Sequence, residues 1–177
     1  MNRLTFNIVH DNNKLAVFNT EEKMLFNSIW FMEFGKSIAE VFDNQQNTLF
    51  TITKRFQFWK WKMVYKLLDQ KKDNFLLIAQ NARNTIYNLD YESSNYKVLL
   101  HYKQRMSILK NSEKIAELDA SFKHENALNS IQLTTSNSNE LKIIFTLFSC
   151  MKIGESAQVK PVLNSQKQLE PNPDPWT

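Results

Sequence analysis

The chain has 177 residues, 42% hydrophobic and 23% charged, with a net charge of +4. That is the profile of one globular domain, which at this length buries roughly two-thirds of its unfolded surface without staples. A single cysteine, Cys150, excludes an internal disulfide framework and argues against structural zinc, while two glycines, Gly35 and Gly154, leave no material for a Gly-rich phosphate loop.

The opening residues, MNRLTFNIVHDNN, contain no apolar run of signal-peptide length, because Asn7, His10 and Asp11 interrupt it. No later segment reaches the roughly 20 apolar residues of a membrane-spanning helix. The expected location is the cytoplasm, with a peripheral position at a membrane as its variant. From the N-terminus onward, short apolar-alternating or β-branched runs recur, each closed by a turn cluster. They predict strands near 3–9, 14–19, 24–34, 38–42, 48–55, 58–68, 75–80, 84–90, 95–103, 105–110, 114–123 and 128–135. The short gaps suit hairpins, so about a dozen antiparallel strands are expected to form a closed or nearly closed barrel. With so little glycine, asparagine and aspartate are expected to supply the turn conformations, at Asp11-Asn12-Asn13, Asp43-Asn44, Asp73-Asn74 and Asn137-Ser138-Asn139.

The alternation is plainest in two places. From Trp59 to Lys66, one parity carries Trp59, Trp61, Met63 and Tyr65 and the other Lys60, Lys62 and Lys66. From Tyr96 to Lys103, Tyr96, Val98, Leu100 and Tyr102 alternate with Lys97, His101 and Lys103. Successive strand residues face opposite sides, so an apolar inner face and a basic outer face are expected for both.

The last element is different. In NSNELKIIFTLFSCMKIG, residues 137–154, apolar side chains cover nearly the whole circumference at helical spacing, leaving only Lys142, Thr146 and Ser149 as a thin polar stripe. Asn137 with Glu140 three residues later reads as a capping box, and Gly154 as a left-handed C-terminal cap. A helix this short and this apolar belongs inside the protein. Residues 1–154 are therefore read as the barrel domain with a buried helix near 140–153. Residues 155–177, with Pro161, Pro171, Pro173 and Pro175, are read as a disordered or extended tail.

This order of elements resembles the tubby C-terminal-like superfamily, which includes phospholipid-scramblase and plant LURP-one-related proteins. Ala39-Glu40-Val41-Phe42-Asp43 followed by Leu49-Phe50-Thr51-Ile52 is similar to that family's strand, Asp turn, strand unit, and Ile108 to Leu118 to its later unit. The apolar helix stands in the place of the family's threading helix, and the resemblance spans roughly residues 3–154. It implies a barrel of about a dozen strands threaded by the helix, and phosphoinositide binding through basic barrel residues. The chain departs from the family in its scarcity of turn glycines and its Pro-rich end, and it has no copy of the scramblase acidic calcium segment.

The residues themselves offer no nucleophile elbow, paired-carboxylate motif or metal-ligand spacing. His10, His101 and His124 are far apart, and alternation makes His101 an exposed outward residue, with Glu40 and Glu117 outward too. No enzyme activity, metal or cofactor is expected. Charge is the concentrated chemistry: residues 54–72 hold seven cations against one anion, Asp69. Lys60, Lys62 and Lys66, with Lys54 and Arg55 at the approach, are the expected contacts to anionic phospholipid headgroups at a membrane surface. Nucleic acid fits less well, because the interleaved aromatics should be buried. The alternative is a lipocalin-like carrier holding an apolar small molecule, with Trp59, Trp61 and Tyr65 lining its cavity if the helix packs outside.

Overall fold

The computed structural model describes residues 3–120, 130–155, 171–172 and 176. Twelve antiparallel strands close into a barrel: β1 Leu4–Asp11, β2 Lys14–Phe18, β3 Met24–Glu33, β4 Lys36–Asp43, β5 Thr48–Gln57, β6 Lys62–Asp69, β7 Asn74–Ala79, β8 Ile86–Tyr91, β9 Ser94–Leu100, β10 Arg105–Lys110, β11 Glu113–Asp119 and β12 Ser130–Thr135. Each strand pairs with its neighbour in sequence, and β1 pairs with β12 from Leu4↔Thr135 to Val9↔Ser130 to shut the seam. Closure gives every strand a neighbour on both sides, the shortest pairing being β7 with β8 at Ile78↔Asn88 and Ala79↔Tyr87.

A twelve-strand barrel is too wide for side chains alone to fill, since about eight strands already suffice for a packed interior. The helix α1, Leu141–Lys152, fills the rest. Ten of its twelve residues are buried, including Thr146 and Ser149 of the polar stripe. Their hydroxyls bond back to the carbonyls of Lys142 (2.8 Å) and Phe145 (2.9 Å), and Ser149 also meets the Ser28 hydroxyl of β3 at 3.0 Å. The helix touches the wall on several sides. Phe145 stacks on Phe26 of β3, Lys142 lies over Phe50 of β5, and at the two ends Ile153 meets Lys54 of β5 while Glu140 meets Tyr96 of β9. Twelve helical residues span about 18 Å, close to the height of eight-residue strands tilted by about 40°.

The helix ends differ from the sequence expectation in mechanism. Asn137 accepts from the Asn139 amide at 2.9 Å, capping a short 3-10 turn, Ser138–Glu140. Glu140 does not reach back to complete a capping box. Its carboxylate takes the Tyr96 hydroxyl at 2.7 Å and the Lys110 ammonium at 2.6 Å, which pins the start of α1 to β9 and β10. Gly154 has φ +86° and follows Ile153 at φ −60°, ψ 120°, with the Glu155 amide on the Lys152 carbonyl at 3.0 Å. That is a type II turn, in which the third position favours glycine.

With the interior occupied, the carrier reading fails. Open depressions lie at the surface beside Thr5 and Gln132 and beside Asp90 and Asn111, and neither includes Trp59, Trp61 or Tyr65. The expected tail falls mostly outside the described residues. Trp176 is described, and it packs against the wall: its amide donates to Glu117 Oε2 at 3.0 Å, and its ring lies 5.0 Å from both the Arg3 and the Lys114 cations.

Candidate functional site

Four loops of the barrel share one design. Asn19, Asp43, Asp69 and Asn81 each accept, through a side-chain oxygen, a backbone amide four residues on. In each, the fourth residue has positive φ and donates its amide to the first residue's carbonyl: Glu22, Gln46, Lys72 and Asn84. The Asx oxygen holds the loop, so the left-handed residue need not be glycine. The turn expectation holds at Asp11-Asn12-Asn13, where Asn12 has φ +51°, while at these four loops asparagine or aspartate anchors the turn and Glu22, Gln46, Lys72 and Asn84 take the positive φ.

The β5–β6 loop repeats the backbone path without the chemistry. Trp61, at φ +49°, donates its amide to the Phe58 carbonyl at 3.2 Å, and the first position holds Phe58, whose side chain has no oxygen to anchor the loop. Phe58–Lys60 forms a 3-10 turn, so the strand predicted over 58–68 begins only at Lys62. The alternation of Trp59 and Trp61 with lysines is therefore not a strand pattern. Trp59 is 83% exposed and Trp61 62% exposed, against the expected burial, while Tyr65 does face the interior. Phe58 and Phe56 pack on Trp61 with ring centroids 5.2 and 6.1 Å away, and Asn84 Oδ1 accepts the Met63 amide at 2.8 Å, bracing the hairpin from the β7–β8 loop.

The expected cations fall into three groups. Strand β5 pairs with β6 through Thr53↔Lys66, Arg55↔Val64 and Gln57↔Lys62, which puts Arg55, Lys62 and Lys66 on the outer face together. Lys36 of β4, one position past the Ser37↔Lys54 pair, adjoins them. Lys60 is exposed at the loop tip beside Trp59 and Trp61. Among the described residues, Arg55, Lys60, Lys62 and Lys66 form no ion pair with a carboxylate. Lys54 lies on the opposite parity, facing inward. Its ammonium donates to the Ile153 carbonyl at 2.7 Å, and burial lowers its pKa, with Glu155 opposing that shift. It neutralises the C-terminal end of α1 at the barrel mouth.

The other candidates from the sequence read differently in three dimensions. His101 is 2% exposed, not outward into solvent, and its Nε2 meets the Ser107 hydroxyl at 2.8 Å. Glu117 is likewise buried, beneath Trp176. Burial alone would raise its pKa, but hydrogen bonds from Lys114 and the Trp176 amide outweigh that and hold the carboxyl below its ordinary value. His124 lies outside the described residues. Among the described residues there is no group of three histidine, cysteine or carboxylate side chains able to hold a metal. No described helix is long and apolar enough to cross a membrane.

No curated protein matches the chain. Among solved structures, an Arabidopsis thaliana protein aligns over 85% of this chain and 90% of its own, at 12% identity and a TM-score of 0.44. A family model, the Tubby C-terminal like domain, matches residues 23–152, most of the barrel and the whole of its helix. The chain belongs to the Tubby C-terminal like domain family.

Proposed function

We propose that this protein is a non-enzymatic domain that binds anionic phospholipid headgroups, phosphoinositides foremost, at the cytoplasmic face of a membrane. Arg55, Lys62 and Lys66 on the outer face of the β5–β6 hairpin, with Lys60 at its tip, make the contacts. The observation that carries the reading is the pairing of these strands, which gathers unpaired cations on one outer face while the inner face of the same strands is packed on α1. Family membership supports it, because tubby-like domains generally bind phosphoinositides. A cation near an anionic membrane surface contributes about 1 kcal/mol, so four acting together hold a small domain at low salt. Co-sedimentation with neutral and anionic vesicles tests this. Wild type should pellet with anionic vesicles only, less so as salt shortens the Debye length. Changing Lys60, Lys62 and Lys66 together to Gln should weaken binding on the order of a hundredfold, from about 3 kcal/mol, without altering the melting midpoint. Wild type that ignores anionic vesicles at low salt ends the reading.

A further inference from the structure

Twelve non-glycine residues among those described have positive φ, and ten are Asn, Gln, Glu, Lys or Ser. The remaining two are Phe34 and Trp61. The left-handed region is unfavourable for any side chain with a Cβ, and bulky residues are rare there. Both exceptions sit at hairpin tips on the same end of the barrel, and the two hairpins are neighbours because β4 pairs with β5.

Phe34 and Gly35, at φ +47° and +73°, form a two-residue turn between Glu33 and Lys36 whose usual first residue would be asparagine. Phe34 is 94% exposed there, and Met32 beside it 68% exposed. From the Ser37↔Lys54 register, this tip is level with Phe56 and Gln57, and the 58–61 loop projects about two residues, roughly 7 Å, beyond it. Of ten exposed large apolar side chains among the described residues, six lie on these two tips: Met32, Phe34, Phe56, Phe58, Trp59 and Trp61. Solvent-facing turns ordinarily carry polar residues, as most other described loops of this barrel do. Here the chain accepts backbone strain to hold aromatic rings out in front of the domain, with Lys60 among them at the tip and Lys36, Arg55 and Lys62 behind, Glu33 being the acid beside these cations.

We infer that these two hairpin tips form a membrane-inserting edge: Phe34, Phe58, Trp59 and Trp61 enter the interfacial layer of an anionic bilayer while the cations behind them meet its headgroups. Tryptophan favours that layer, where an apolar ring and a polar N–H are both accommodated, and insertion by 5–10 Å matches the projection of the loop. The arrangement of an apolar tip over a basic collar selects a lipid surface over a second protein copy, because two such collars brought face to face would repel. The inference rests on the headgroup reading above and deepens it.

The test uses the full chain and vesicles of phosphatidylcholine and phosphatidylserine, with and without lipids brominated in the upper acyl chain. Wild-type tryptophan emission should shift blue on binding and be quenched by the brominated lipid. The variant Phe34→Asn/Trp59→Ser/Trp61→Asn should melt at the same or a higher temperature, since asparagine tolerates the left-handed region. It should lose at least about tenfold in vesicle partitioning, and what remains should vanish at physiological salt. Co-sedimentation with no blue shift or quenching, unaffected by the aromatic changes, would overturn the inference and leave headgroup binding standing. A wild type that does not sediment at all would overturn both. A blue shift that grows with protein concentration without vesicles would assign the edge to self-association and overturn it as well.

Discussion

Lys54 shows how a residue's role follows from one step of strand parity. It lies next to Arg55 in sequence, yet Arg55 faces solvent while Lys54 enters the barrel mouth to take the Ile153 carbonyl. The run of cations was legible in the sequence, and the partition between them was not, because a wall position says nothing about a helix end reaching it from inside. His101 failed for the complementary reason. Alternation correctly puts it on the outer side of the strand, but the outer side of β9–β11 is not all solvent, and Ser107 and His101 are both buried there. His10 is the titrating counterpart. Burial, and then the Lys152 charge, lower its pKa below the usual 6.5, and its ring nitrogen meets the Asn12 carbonyl at 3.0 Å. A neutral imidazole donates that bond. Because the unfolded chain takes up the proton more readily than the folded one, stability is complete above about pH 6.5 and falls as pH drops below it, levelling off at the lowered folded value. The melting midpoint should therefore fall from pH 7 to pH 5 more steeply in wild type than in His10→Gln, whose amide still donates to Asn12. Parallel curves for the two proteins would remove His10 from the pH dependence.

At the scale of elements, period-two alternation was enough to find the strands, and all-round hydrophobicity enough to place α1 inside them. The misreading at residues 58–61 came from a loop that imitates a strand: Trp59-Lys60-Trp61-Lys62 keeps the alternation through a turn whose backbone does not. One signal was available. The stretch from Thr48 to Asp69 contains no Gly, Asn, Asp or Pro before its last residue, and it is twice the length of its neighbours, so a turn had to be built from aromatic residues. The helix makes its own demand. Phe145, Leu147, Ile144 and Phe148 are all buried, the first three completely, so no face of α1 is free to relax into a gap. Phe148→Ala should cost about 3–5 kcal/mol in chemical denaturation. Ile144→Asp should leave no cooperative transition, because the carboxylate would have neither water nor partner. A soluble Ile144→Asp protein melting like wild type would mean that the barrel stands without its filling.

The whole molecule is a ring, and a ring is only as stable as its seam. The β1–β12 pairing joins residues more than a hundred positions apart, so its contacts must repay a large loop-closure cost. Trp176 lies across that seam: its ring contacts Arg3 just ahead of β1 and Lys114 of β11, with β12 between them, and its amide bonds Glu117. The Pro-rich end carries few apolar groups. Trp176 is the exception within it, a large aromatic with two cation contacts worth about 0.5–1 kcal/mol each. Trp176→Ala should lower stability by about 1–2 kcal/mol. Hydrogen exchange should quicken first at the amides of β1 and β12, while those of β5 and β6, remote from the seam, keep their protection. An equal loss of protection around the barrel would show that the seam opens only with global unfolding. No loss at all would show that Trp176 rests on the wall without holding it.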